Sequence, residues 1–179
     1  MSQKGKLDLR ILVEASICAA LAMVLSALKV NIGWIDISLG QTIIVLFGLR
    51  RGLGPGLLAG LLWGLLHFVT GQIYYLSLSQ VIIEYIVAFV FGGTAGIFRS
   101  KLKSNTTFWI VVASFFATFA RFFWHFVAGV IFWSQYAWKG WGAVSYSLVI
   151  NGTSALLTAL IASIVVSFIV NQFPKILQP

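Results

Sequence analysis

The sequence is short of nearly everything that soluble catalysts are built from. It has one cysteine, Cys18, inside the first apolar run, which excludes a disulfide framework and a cysteine-based metal site. Four acidic residues are spread over 179 positions, and no cluster of them could hold a divalent metal. No Walker A sequence, HExxH helix or GxSxG elbow is present, so neither nucleotide hydrolysis nor these hydrolytic chemistries are encoded. Any active transport must draw its energy from another polypeptide or from an ion gradient. The chain is also short for a secondary transporter and shows no obvious inverted repeat. Charged residues amount to only 9%, against 60% hydrophobic and a mean hydropathy of +0.98. A soluble domain of this size could not keep that much apolar surface out of water.

What is there is a series of apolar runs with basic punctuation. The net charge of +8 would suit nucleic acid. Yet the basic residues form small clusters between apolar runs with no RNA or DNA motif, so membrane lipid and topology explain them and no nucleic-acid partner is expected. The N-terminus resembles a signal peptide but lacks a small-x-small cleavage site. Glu14 interrupts its run, and Ile17 before Cys18 fits a lipoprotein signal poorly, so the segment reads as helix 1.

Helix 1 is expected over Ile11 to about Val30, followed by a polar-aromatic loop from Asn31 to Gly40. A short apolar run, Thr42–Leu49, ends at Arg50-Arg51. Helix 3 starts at Gly54-Pro55, with proline in the first turn, and reaches about Thr70. Helix 4 covers about Leu78 to Phe98, helix 5 Phe108 to Trp133, and helix 6 Ser147 to Val170. The Thr42–Leu49 run is too short to be a span on hydropathy alone. Charge decides it. If it crosses, Lys4, Lys6, Arg10, Arg50, Arg51, Arg99, Lys101, Lys103 and Lys175 share one side, and Lys29 and Lys139 take the other: nine against two. That is the asymmetry the positive-inside rule requires with both termini cytoplasmic. The expected fold is an all-α integral membrane protein, a six-transmembrane-helix bundle forming one domain over residues 1–179. A span this short implies backbone that ends at protein or at a water-filled cavity.

Two rows of small residues mark close helix contacts. Gly52, Gly56, Gly60 and Gly64 repeat every four residues, which reads as packing within the bundle. On helix 1, Ala15 and Ala19 share that spacing, with Ala22 and Ser26 beyond. The sequons at Asn105 and Asn151 are read as chance, one on the cytoplasmic side and one in a helix.

Four ionisable residues lie at membrane depth: His67, Glu84, Arg121 and His125. A carboxylate there costs about 2.5–3.5 kcal/mol on insertion scales, so it faces the bundle interior. Glu84 reads as a structural ion pair with Arg121 or as a pocket group with His125, which lies at similar depth with Arg121 one turn deeper on the same face, so pocket and ion pair can coexist. His67 reads as a satisfied core histidine. Trp34, Tyr74, Tyr75, Trp133, Tyr136, Trp138, Trp141 and Tyr146 gather near the outer side. An interfacial belt accounts for about half of them. Trp63 and Trp133 fit a belt less well. Aromatic faces around a buried carboxylate suit a flat, cationic heteroaromatic ligand, with Asn151 and Tyr146 adding hydrogen bonds.

Gly33-Trp34, the Gly48-Leu-Arg-Arg-Gly-Leu-Gly-Pro-Gly56 turn, Ile83-Glu84-Tyr85, His125, Trp133, and Tyr146 with Asn151 occur in an order that resembles a known family. This is the thiamin-specific substrate-binding component (S-component) of energy-coupling factor (ECF) transporters of Gram-positive bacteria. The resemblance implies a six-helix cell-membrane protein, not an enzyme, that captures thiamin at its outer face. Thiamin would be the transported ligand and no cofactor would be needed. A transmembrane coupling protein with two cytoplasmic ATPases would supply the energy, meeting helix 1 at Ala15 and Ala19. Trp133 would stack on the aminopyrimidine, whose polar groups go to Glu84 and Asn151 with His125 and Tyr146 nearby. Trp34, Trp63, Tyr74 and Tyr85 would surround the thiazolium. The rivals are an S-component for another vitamin, a solitary proton-coupled carrier relaying through Glu84, Arg121 and His125, and an intramembrane enzyme with Glu84 and His125 as acid–base pair. The last has no nucleophile or metal ligand to work with.

Overall fold

The computed structural model describes residues 8–28 and 30–178, so Lys4, Lys6 and Lys29 of the charge asymmetry lie outside the described residues. Helix α1 is Leu9–Ala27, started by Asp8, whose side chain accepts from the Arg10 N–H. Helix α2 is Gly40–Arg51 and α3 is Leu53–Val69, joined at Gly52, where φ is 95°. Only glycine takes that angle without strain, and it lets two helices follow each other with a single residue between. Helix α4 runs Leu78–Lys103, capped by Ser77, α5 Thr106–Phe132, capped by Asn105, and α6 Ala143–Gln172. Four of these, α1, α4, α5 and α6, are long and apolar enough to cross a membrane. The chain is a mostly helical membrane protein. Its outward surfaces confirm the solvent: α1 exposes Val13, Ile17, Leu21 and Val24, and α6 exposes Leu148, Leu160, Ile164 and Phe168.

Two features depart from the sequence expectation. The loop from Asn31 begins as an antiparallel hairpin, β1 (Val30–Ile32) on β2 (Ile35–Ile37), with Val30 opposite Ile37. Its two-residue turn is Gly33-Trp34, with Gly33 at φ 61°. Isoleucines alternating about a glycine carry that signal locally. Helix α4 is not uniform either: Ile82–Val87 is a π-helical stretch, and the residues from Gly93 tighten to 3-10 turns. Glu84 lies in the π-helical stretch, where the extra residue per turn re-aims side chains; such insertions favour functional sites.

The glycine row does what its spacing implies. A Cβ at Gly56, Gly60 or Gly64 would collide with the carbonyl oxygens of Gly93, Phe89 and Tyr85 in turn, so α3 lies directly on the α4 backbone. This contact fixes the height of Glu84 and Tyr85. Ala15 and Ala19 are a correction. Both are fully buried in a core with Ala22, Ile44, Phe47, Ala59 and Trp63, turned toward α2 and α3. Small-residue spacing identifies a face that packs closely, but not what packs on it. The exposed small residues of α1 at that spacing are Ser16 and Ala20.

At the basic end, Glu14 of α1 gathers three arginines. Its carboxylate lies 3.1 Å from Arg10 Nε, 3.8 Å from Arg50 Nε and 2.5 Å from Arg51 Nη2. Arg50 also donates to the Ile176 carbonyl at 2.6 Å, which ties the C-terminal turn to α2.

Candidate functional site

Helix α2 has 12 residues, about 18 Å at 1.5 Å per residue, well short of a bilayer's apolar thickness. The missing length is where the cavities are. The β1–β2 hairpin leads into the N-terminal end of α2 and packs on α6, and two adjoining cavities open between it and helices α3 to α6. One, of about 140 Å³, is lined by Trp34, Glu84, His125, Trp133, Tyr136, Tyr146 and Asn151, among others. The other, of about 360 Å³, shares Trp34, Glu84, His125 and Trp133 and adds Asp36, Ser38, His67, Tyr74, Tyr85 and Arg121. Eight of the nine candidate ligand residues therefore line these cavities: Trp34, Tyr74, Glu84, Tyr85, His125, Trp133, Tyr146 and Asn151. Trp63 does not. It is wholly buried behind the wall, its Nε1 donating to Ser26 Oγ at 3.1 Å and its ring lying under the Arg121 guanidinium.

Glu84 is the only acid that lines both cavities. Oε1 accepts from Trp133 Nε1 at 2.8 Å, and Oε2 accepts from Gln80 Nε2 one turn earlier. Both donors are neutral. Glu84 makes no ion pair with Arg121 within 4 Å, whereas Glu14 pairs with three arginines. Arg121 instead donates from Nη1 to Ser38 Oγ at 2.7 Å. The relay imagined for a proton-coupled carrier thus lacks its first link.

Around the carboxylate stand four rings from four segments. Trp133 at the end of α5 is 6.2 Å from Trp34 of the hairpin, 5.0 Å from Tyr74, and 5.5 Å from Tyr136, centroid to centroid. Tyr74 and Tyr136 share a 3.4 Å hydroxyl contact, which raises the Tyr74 phenol above its ordinary range. Tyr85 accepts from the Tyr74 backbone N–H at 2.9 Å and so holds the 71–77 loop over the opening.

The polar groups are arranged to leave functions unspent. Asn151 donates from Nδ2 to Ser147 Oγ at 3.1 Å, which leaves its side-chain oxygen without a bond from that residue, and it lines the smaller cavity. His125 Nε2 is buried without a partner, an arrangement that needs a water or a ligand. His67 is satisfied through Nδ1 on the Trp63 carbonyl at 2.9 Å, as expected of a core histidine. Gln80, Ser147 and Ser38 are not singled out by the sequence. Gln80 and Ser147 each stand four residues before the group they orient, a helical spacing that was available as a signal. Tyr136 reads from sequence as one more interfacial ring. Its place beside Trp133 is local, three residues on in a single 3-10 turn, a spacing that was also available as a signal.

Residues 12–178 match the family described as "Thiamine transporter protein". The chain is 33% identical over 182 residues to the thiamine transporter ThiT of Lacticaseibacillus paracasei, covering 94% of this chain and 90% of that one. It is 30% identical over 151 residues to ThiT of Bacillus subtilis, covering 80% and 79% respectively. A solved structure of ThiT from Listeria monocytogenes superposes with a TM-score of 0.93 at 44% identity, over 96% of this chain and 98% of that one.

Proposed function

The chain belongs to the thiamine transporter protein family, and from that premise we propose that it captures thiamin in the cavities around Glu84 for uptake. The observation that carries the reading is a carboxylate buried in a membrane bundle, held by neutral donors only, inside four aromatic rings. Such a group is oriented but has no countercharge in the protein, which leaves that place to an entering cation, and the rings add attraction for a flat one. Thiamin is flat and cationic. Its aminopyrimidine fits the smaller cavity, where Glu84, Asn151 and His125 take its donors and acceptors and Trp133 and Tyr146 cover its faces. Its thiazolium, which carries the positive charge, lies toward Trp34, Tyr74 and Tyr85 in the adjoining cavity that Glu84 also lines, within the field of the carboxylate. No cofactor is required, because nothing is transformed. The direct test is to purify the protein, identify any small molecule that comes with it, and titrate thiamin against tryptophan fluorescence. Quenching that saturates at one thiamin per chain is expected. No quenching, or retention of a different vitamin, rejects thiamin.

The wider reading is that of an S-component. The chain forms one transmembrane domain over residues 1–179 that crosses the cell membrane of a Gram-positive bacterium six times, counting the short α2 and α3, with both termini cytoplasmic. Support comes from the basic residues: Arg10, Arg50, Arg51, Arg99, Lys101, Lys103 and Lys175 against Lys139 among the described ones. Energy comes from a separate ECF module, a transmembrane coupling protein with two ATPases. With Ala15 and Ala19 inside the bundle, docking on α1 falls to its outward face, where Ser16 and Ala20 leave room for a close helix. Ser16→Trp with Ala20→Trp should keep thiamin binding in detergent and abolish ATP-dependent uptake. Wild-type uptake in that variant would move the docking surface off α1.

A further inference from the structure

Arg121 is a buried cation in the wall of a site built for a cation, and that placement needs a physical reason. Its side chain is 4% exposed. The guanidinium is packed on Phe89 at 4.3 Å and Trp63 at 4.6 Å, with Phe122 at 5.2 Å. Stacking of this kind stabilises a desolvated arginine and fixes the plane of its donors. The donor that emerges from the stack goes to Ser38 Oγ at 2.7 Å. Ser38 directly follows β2 and precedes the first turn of α2.

The base of the hairpin is held from a second side. The Asp36 N–H donates to Ser154 Oγ at 3.0 Å, and the Ser38 N–H donates to Thr158 Oγ1 at 3.1 Å, both on α6. Two residues on, a Cβ at Gly40 would meet the Ala22 carbonyl, the Trp63 ring and Ser26 Oγ, so the chain has no room to shift there. The tip differs. Trp34 is 56% exposed and meets the rings of Tyr136 at 5.5 Å and Trp133 at 6.2 Å. The hairpin is thus a lever with a clamped base and a light tip, and Trp34 rides on the tip.

We propose that Arg121 is a positioning residue: by gripping Ser38 it fixes the base of the β1–β2 hairpin, sets where Trp34 stands in the cavity wall, and so governs how long the ligand stays. The proposal rests on the thiamin-binding reading for its ligand, but the grip itself is a property of the free protein. Trp63, Phe89 and Phe122 belong to the device as the bearing on which the guanidinium rests. This also explains why Trp63 stands near the site without lining it.

Removing Arg121 would strip a charge from the core and could unsettle the fold, so the experiment is placed on Ser38. Ser38→Ala deletes the acceptor, and Ser38→Thr restores it as the conservative rescue. Two readouts are taken on the purified full chain: the thiamin dissociation rate by stopped-flow tryptophan fluorescence, and amide hydrogen exchange of residues 30–38 without ligand. A hydrogen bond from a charged donor is worth about a tenfold change in an equilibrium, or more. Ser38→Ala should therefore release thiamin about tenfold faster and exchange faster in the hairpin alone, with Ser38→Thr near wild type. Unchanged rates in Ser38→Ala overturn the proposal. So does faster exchange throughout the bundle, which would mark Ser38 as ordinary structure. If wild type fails to bind thiamin at all, the binding reading falls, and hairpin exchange still decides whether Arg121 holds it.

Discussion

Glu14 and Glu84 are the same side chain on two helices of one bundle, and their surroundings could hardly differ more. Glu14 meets Arg10, Arg50 and Arg51 and joins α1 to α2 at the basic end. Glu84 meets no cation; its oxygens take the Gln80 amide and the Trp133 indole. A carboxylate already matched by arginines has no charge left for a ligand, and its work is structural. One held by neutral donors is oriented but not neutralised, which leaves its field for whatever cation enters. A hydrogen bond from an indole sets direction, while an arginine would also cancel the charge. The bundle thus keeps its arginines at one end and excludes them from the carboxylate at the other, with Arg121 turned aside to Ser38.

The comparison can be broken most forcefully at Trp133, which is both donor to Glu84 and wall of the cavity. Trp133→Ala loses a stacking face and a charge-assisted hydrogen bond together, and thiamin affinity measured by calorimetry should fall about a hundredfold or more. Trp133→Phe keeps a ring and loses only the donor, so a loss of about tenfold is expected. Equal losses in the two variants would mean that stacking contributes little. At the other carboxylate, Glu14→Gln should leave thiamin affinity in detergent unchanged and lower the melting temperature by about 2–4 °C, the shift for about 1 kcal/mol in a chain of this size. A changed affinity there would erase the division between a structural and a functional carboxylate.

Much of this division was legible in the sequence, and the failures have physical causes. Glu84, Trp133, His125, Tyr146 and Asn151 stood out because charge and polarity are costly at membrane depth and because rings gathered at one end. The glycine row was legible because backbone contact leaves no choice of residue. Ala15 and Ala19 misled, since a small-residue stripe records proximity without naming the neighbour. Trp63 was close to the site in depth but faced Arg121, and facing depends on helix rotation that hydropathy does not resolve. The π-helical stretch under Glu84 left no mark at all, because Ile82–Val87 reads by composition and hydropathy like any other apolar helical segment. The hairpin was readable from alternation about Gly33, yet a short strand pair inside an apolar chain is easily taken for a loop.

The most direct test of a charge kept free for a cation is thiamin calorimetry on Glu84→Gln beside wild type, with melting curves on both. Glutamine keeps the shape and one acceptor but removes the charge. The expected result is a loss of about ten- to hundredfold in affinity with the melting temperature retained. Wild-type affinity in a folded Glu84→Gln protein would contradict the account, because thiamin would then be held without the buried carboxylate.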